Sequence, residues 1–493
     1  MKAIGVGLAE PASTGEELMP ALTVREADRS FEWQRWPQAE AFVGRLIAGG
    51  VEGNRFATGL AARLPAETGT ALPVWVDHLV ITGGGSLERT LAGLGYEREA
   101  IRHPRGGTVH AHRGGLFPRI VVLPDAGAAG EEGVGEVAEV AIKVESVADF
   151  VRAHDLGLEV VGQPMGPYRT ATVPGEATSF TALERRAYRG FEPFPGDLAR
   201  DGRMRPQAAR DALAALDLWR ARRRRFDDDG EGIRATRATL ERAIELAGDR
   251  DLACHLIFQA EREYWQSRNL AARVQKERQD RLGLGWANHD HHTFRCSRRS
   301  FPDIMAMFIR LGFSLRERFH AGRHAGWGAQ VLEHETTGIV IFADLDLAPE
   351  EATQDFARHR LEDLPRPSTV GLWVALHGES ILDAGMHHLE AQFEFDALKE
   401  GLEEEAGIKT MAPFSDFPFL RQAFTAGERW PVSRARADRA LAMGYISDAE
   451  HAKFLRDGAL GSHLENLQRR EGYKGFNQQA VSAIIAATDP RLH

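Results

Sequence analysis

Apolar and polar positions along this chain switch between a helical and a strand-like period, and the switches mark out repeated units. Within residues 1–70, polar overall and expected to be helical, AEAFVGRLIAGG carries apolar residues at helical spacing. After the break at ALPVW, VWVDHLVITG reads as a strand and SLERTLAGLGY as a helix opened by a serine. REAIRHP, GTVHAHR and PRIVVLP then read as short strands. The order is βαβββ. The loop-like DAGAAGEEGVGE separates this unit from a second start: VAEVAIKV as strand, VADFVRAHDLG as helix, LEVVGQP as strand.

From about 205 to 282 the period is helical throughout. QAARDALAALDLWRARRRRF, ATRATLERAIELA and LIFQAEREYWQSRNLAARVQKERQDR predict long amphipathic helices. The run Arg222–Arg225 could suit nucleic acid, but acidic DDDGEG follows it closely, and a solvated helix face is expected. The βαβββ order then returns in HHTFRCS, SFPDIMAMFIRLGFSLRERF, GAQVLEHE and TGIVIFADLD. A fourth copy begins near 386 with MHHLEAQFEFD, ALKEGLEEEAGI and KTMAPFS. Four copies imply internal duplication. The expected fold is α+β: repeated βαβββ modules forming two cupped mixed sheets with a helical insert between them. The divisions fall at 1–70 (helical), 71–190 (a degenerate module pair), 191–283 (insert) and 284–493 (a metal-binding module pair). Such paired modules resemble the vicinal oxygen chelate superfamily.

Composition narrows the function classes. The chain has 493 residues, 43% hydrophobic and 27% charged, with a net charge of −10. That balance argues against a nucleic-acid or anionic-membrane binder. No apolar run is long enough for a transmembrane helix or suits a signal peptide. Two cysteines, Cys254 and Cys296, exclude a disulfide framework and fit a reducing compartment. A cytoplasmic protein is expected, with a small molecule as its partner; a homodimer is compatible with the sequence.

The candidate chemistry lies in NHDHHTFRCS. Side chains alternate faces along a strand, so His291, Thr293 and Arg295 share one face, and His292 and Phe294 the other. Neighbours on one face lie about 7 Å apart. A histidine ligand would then share its face with an arginine able to clamp a carboxylate through two nitrogens. His289 reads as a loop residue, and His292 as outward-facing or supporting. MHHLEAQF puts His388 at the equivalent position of the fourth module. Two histidines with one carboxylate suit non-haem Fe(II). Glu394 shares a face with His388 but lies about 20 Å along the strand. GALGSHLENLQRREGY offers Glu465, the preferred choice, and Glu471; Glu335 is a further option.

At these residues the chain resembles the 2-oxoadipate dioxygenase/decarboxylase family, the hydroxyglutarate synthases. DHHTFRCS is similar to its first-ligand strand, D-H-x-x-x-R, and MHHLEAQFEFDALKEGLEEEAGI to its second. PFLRQAFTA resembles a later Leu-Arg-Gln stretch, and HLENLQRREG its glutamate-bearing strand, with two residues inserted before the glycine. The resemblance covers roughly 286–475. It implies His291, His388 and Glu465 as Fe(II) ligands, and Arg295 on the far carboxylate of a 2-oxo acid. Arg421 and Gln422 would lie near the substrate. The implied reaction uses O₂ to decarboxylate and hydroxylate a 2-oxoadipate-like acid, giving a 2-hydroxy acid. A metal-dependent lyase, isomerase or extradiol-type dioxygenase on this scaffold is the alternative, and a non-catalytic small-molecule binder is a third reading.

In the N-terminal pair, His78 takes the first-ligand position and Glu139 its partner's, with no third ligand in view; a structural half is expected rather than a second metal site. His110 and His112 are expected to serve the fold. ITGGGS lacks the spacing of a phosphate loop and reads as a turn.

Overall fold

Two helices lead into the first sheet. In the computed structural model, the residues described are 34–83, 85–124, 135–193, 199–200, 203–204, 206–320, 326–477 and 489–492; residues 1–33 of the expected helical segment lie outside them. Helix α1 (Pro37–Glu52) buries Phe42, Val43, Leu46 and Ile47, and α2 (Arg55–Thr68) buries Leu60 and Leu64. Asn54 caps α2 by accepting from the Ala57 N–H at 3.1 Å.

The first module is complete: β1 (Val76–Thr82), α3 (Gly85–Gly93), β2 (Tyr96–Arg102), β3 (Thr108–His112) and β4 (Arg119–Leu123). The second runs β5 (Val137–Lys143), α4 (Val147–Ala153), β6 (Tyr168–Val173) and β7 (Ser179–Arg185). The sheet order is β2-β3-β4-β1-β5-β7-β6, with β1 and β5 antiparallel at the centre. The expected strand LEVVGQP does not form and contributes only a single bridge, Val161 to Thr170. Left-handed Gly157, Gly162 and Met165 turn the chain there instead.

A short ribbon, β8 (Ala199–Arg200) with β9 (Arg203–Met204), precedes the helices α5 (Pro206–Arg220), α6 (Asp229–Ala247), α7 (Arg250–Ser267) and α8 (Leu270–Asp280). The long helix expected over 256–281 is two. Asn269 is extended and caps α8, its side chain accepting from the Ala272 N–H at 2.8 Å. The helix expected over 207–226 stops at Arg220, and of the arginines beyond it Arg222 and Arg224 turn inward while Arg223 and Arg225 stay exposed. Arg222 and Arg224 each reach Glu261 at 2.8 Å and donate to the carbonyls of Ile381 and Leu382. Arg225 pairs with Asp383 at 3.0 Å. The run binds the insert to the C-terminal half.

That half repeats the scheme: β10 (His289–Arg295), α9 (Phe301–Arg310), β11 (Ser314–His320), β12 (Trp327–Glu333) and β13 (Val340–Asp346). Helix α10 (Thr369–His377) follows. The fourth module has β14 (His388–Gln392), α11 (Phe395–Ala406), β15 (Ser415–Phe417) and β16 (Leu420–Phe424). A ribbon, β17 (Arg429–Trp430) with β18 (Ala459–Leu460), brackets helices α12 (Arg434–Ala442) and α13 (Asp448–Asp457) before β19 (His463–Arg469). KTMAPFS enters the sheet only at Ser415; before it, Thr410 bridges Thr425. The order is β11-β12-β13-β10-β14-β19-β16-β15, with β10 and β14 antiparallel at the centre. In both sheets the first and last strands of a module pair in parallel: β1 with β4, β5 with β7, β10 with β13, β14 with β19. Helix α7 covers the outer face of the second sheet, where Phe258 meets His292, Phe294 and Phe308. The inner face is left to line a cup.

Glu261 is fully buried and also accepts from Trp219 Nε1 at 2.6 Å. Glu261→Gln removes the charge from two buried guanidiniums. Chemical denaturation is expected to show a loss of about 3–5 kcal/mol.

Candidate metal centre

Three neighbouring strands bring four donors together. Register sets His291 opposite Glu390 across β10 and β14, and Glu390 opposite Glu465 across β14 and β19. The tripeptide His-Leu-Glu occurs in both β14 and β19, and the parallel pairing aligns His388 with His463, Leu389 with Leu464 and Glu390 with Glu465. The leucines point into the core, while histidines and glutamates face the cup. One ligand atom from each of His291, His388, Glu390 and Glu465 lies within 4.8 Å of the others, and all four residues are buried. Glu390 Oε1 touches His291 Nε2 and lies 3.2 Å from His388 Nε2, which is 3.6 Å from Glu465 Oε2.

Each imidazole is held through Nδ1, with Nε2 facing the carboxylates. His291 Nδ1 lies 3.3 Å from Asp290 Oδ1, and Asp290 is fixed by Arg469 at 3.2 Å and by the Gln392 amide at 3.1 Å. His388 Nδ1 lies 3.1 Å from His463 Nε2. The tautomers protonated at Nδ1 leave both Nε2 atoms bare toward the cup. Burial lowers the pKa of His291 to about 4, with Asp290 opposing the shift. Burial and the neighbouring His463 and His291 push His388 well below the usual histidine range. Both rings are neutral at neutral pH, as ligation requires.

The carboxylates shift the other way. Burial and then the charge of Glu465 raise Glu390 well above the usual range, and burial raises Glu465. Two such groups side by side cannot both carry charge unpaired, and they hold a proton between them unless a cation replaces it. Glu390 Oε2 is buried without a hydrogen-bond partner. Neutral imidazoles, paired acids and an orphaned oxygen fit a divalent cation. The space between them is about 30 Å³, room for an ion and a water-sized ligand, walled by Phe319, Trp327, Phe342, Phe424 and Phe476.

The structure brings His291, His388, Glu465 and Gln422 together. Gln422 donates to Glu465 Oε1 at 2.9 Å, so it orients the carboxylate. Arg295 lies outside the wall of this small space but close to it, its charge bearing on His387, His388 and His463. Its guanidinium is 2% exposed, sits 5.4 Å from the Trp373 ring, and has neither ion pair nor hydrogen bond among the described residues. Arg421 is a correction. One residue from Gln422, it points to the opposite face, where Asp416 and Asp396 neutralise it at 2.9 and 2.8 Å. Glu394 pairs with Arg470, Glu471 with Arg35, and Glu335 is exposed; none reaches the cluster.

His292 is fully buried against α7, not outward-facing, and His289 belongs to β10 rather than a loop. The sequence reading missed Glu390, His463 and Asp290. Alternation from His388 reaches Glu390 in two residues, and the repeated His-Leu-Glu was the available signal. In the N-terminal sheet, His78 Nδ1 engages Asp77 at 2.7 Å and Phe191 packs on the ring, while Glu139 pairs with Arg105. Among the described residues no metal-holding group forms there. His110 and His112 make local contacts to Thr108 and to the Leu94 carbonyl.

No protein-family model matches the chain, and no curated protein matches it in sequence. Solved structures do. A 4-hydroxymandelate synthase variant from Streptomyces coelicolor is 13% identical, covers 85% of this chain and 99% of its own, and has a TM-score of 0.26. A protein of the glyoxalase superfamily from Ralstonia eutropha is 13% identical, with coverages of 56% and 99% and a TM-score of 0.31. A xylose isomerase-like TIM barrel/4-hydroxyphenylpyruvate dioxygenase fusion protein is 12% identical, with coverages of 88% and 57% and a TM-score of 0.22. These overlaps are low, and the strand order itself carries the assignment. The chain has the vicinal oxygen chelate fold. Its paired modules, with antiparallel first strands at each sheet centre, are that architecture twice over.

Asp290→Asn is expected to weaken binding of a divalent ion such as Co(II) about 10–100-fold, read by calorimetric titration. Metal binding must displace a proton from the glutamate pair, whose pKa values are raised. Affinity is therefore expected to fall as pH drops through neutrality, by about tenfold per pH unit for one displaced proton. A titration series from pH 8 to 5.5 checks it.

Proposed function

We propose that this protein is an Fe(II)-dependent dioxygenase that decarboxylates and hydroxylates a 2-oxo acid bearing a second carboxylate, with 2-oxoadipate the model substrate. One observation carries the reading: a buried two-histidine, carboxylate cluster at the sheet centre, beside a buried guanidinium that makes no ion pair or hydrogen bond among the described residues, with Asp344, Asp346 and Asp489 the acids whose charge reaches it. His291, His388 and Glu465 would hold the metal, with Glu390 against it. Fe(II) bound there supplies a redox centre and a template on which a 2-oxo acid and O₂ can meet.

The chain's own residues do the rest. Arg295 captures the far carboxylate, and an unpaired buried cation is costly unless such an anion arrives. Its pKa is lowered to about 10 by burial, so it stays charged at neutral pH. Pinning both ends of the substrate converts binding energy into orientation. Phe319, Phe342, Phe424 and Phe476 ring the cluster and exclude water from it. Gln422 keeps Glu465 turned toward the cluster.

Glu390 favours a second reading. A carboxylate beyond the usual three donors suits proton transfer, as in a lyase or isomerase on the same scaffold. Oxygen uptake separates the two. Protein loaded anaerobically with Fe(II) and given 2-oxoadipate is expected to consume O₂ and release CO₂ in equal amounts; turnover without O₂ would select the second reading. His388→Ala is expected to lose metal and activity while its circular dichroism is unchanged. Arg295→Gln should retain the metal but raise KM and lower kcat, and unchanged kinetics would remove Arg295 from the substrate site.

A further inference from the structure

A large cavity lies apart from the metal centre. It measures about 710 Å³ and lies where the N-terminal sheet, the helical insert and the start of β10 meet. That is the size of a pocket for a small organic ligand. Its walls are rich in charge, and most of that charge is matched. Arg185 forks onto Asp77, with both contacts at 2.9 Å, and Arg186 reaches Glu184. Lys276 holds Asp280 and Glu145 at 2.7 and 3.1 Å, Arg152 faces Asp149, and Glu263 is taken by Arg220.

Two cations are left over. Lys143, on the last residue of β5, has no ion pair or hydrogen bond among the described residues. The acids whose charge reaches it, Asp77 and Asp290, are already paired with Arg185 and Arg469. Arg262, on α7, is 6% exposed; its guanidinium meets only His292 Nε2, at 3.3 Å, and its Nε has no partner. No carboxylate pairs with it among the described residues. Between them stands His289, whose Nδ1 is buried and unpartnered, and the charges of both Arg262 and Lys143 bear on its ring. Three parts of the chain thus contribute an unmet donor to one chamber. Burying unpaired cations destabilises a fold, and a site that keeps two facing the same roomy space is built for an anion.

We propose that this chamber is a second ligand site, separate from the metal centre, for a small metabolite carrying a carboxylate or phosphate group, held by Lys143 and Arg262 with His289 as a further hydrogen-bond donor. The oxyanion would fit between the two cations, and the remaining volume takes the body of the ligand. The proposal does not depend on the metal or on the reaction assigned to it.

The test is calorimetric titration and thermal melting of the full-length protein, at constant ionic strength against sodium chloride, with inorganic phosphate in one arm and glutarate in the other. Saturable binding in either arm is expected; the arm that responds identifies the oxyanion. Lys143→Met should weaken binding at least tenfold, Lys143→Arg should restore it to within a few fold, and Arg295→Gln should leave it unchanged. Unliganded Lys143→Met is expected to melt at or above the wild type, because an unpaired charge has been removed. Binding no stronger than the chloride control in both arms would overturn the proposal. So would binding lost in Arg295→Gln but kept in Lys143→Met, or a Lys143→Arg variant that binds no better than Lys143→Met.

Discussion

The antiparallel meeting of β10 and β14, with β19 parallel beside them, is the constraint on which the C-terminal half depends. It forces two histidines and two glutamates into one buried space, where their natural states conflict. Burial keeps the histidines neutral and drives the carboxylates toward protonation. Neither response satisfies every donor. The surroundings are arranged to tolerate this: Asp290 and Arg469 anchor one imidazole, His463 the other, and Gln422 one carboxylate. A divalent cation would resolve the remaining conflict, since it takes the place of the proton that the paired carboxylates otherwise hold.

The N-terminal half shows the same scaffold with a different interior. Its sheet repeats the central antiparallel pair, and His78 takes the place of the first ligand. There, however, the neighbouring Asp77 is held by Arg185, and Phe191 packs against the histidine and lies under both Arg119 and Arg185. Ion pairs and an aromatic ring fill the space that donors occupy in the other half. One fold thus carries two different interiors, because the backbone fixes where side chains point but not which side chains stand there.

The helical insert joins these halves and gives the molecule its second interior space. Glu261, buried between Arg222 and Arg224, ties the insert to the segment before β14, while Phe258 on the same helix packs on the back of β10. The neighbouring residue on α7, Arg262, reaches the chamber beside β10, where it meets His292 and no carboxylate pairs with it among the described residues. A helix fixed so firmly on one side can hold a charge in an unfavourable setting on the other.

The sequence by itself determined the repeated strand-helix units of the two sheets and the run of helices between them, because strand alternation and the repeated βαβββ pattern are local properties of the chain. It did not determine that Arg421 turns away from the cup, that Glu390 joins it, or that Arg222 and Arg224 turn inward to Glu261. Arg421 and Gln422 are adjacent and differ only in the face they occupy, which depends on where β16 pairs with β19. Glu390 matters because β14 and β19 lie in parallel register, a contact across 75 residues. LEVVGQP has the composition of a strand, but its glycines turn the chain before a ladder can form. Only the tertiary structure decided these points, since pairing register and burial arise from contacts between segments far apart in the chain, and no local pattern encodes them.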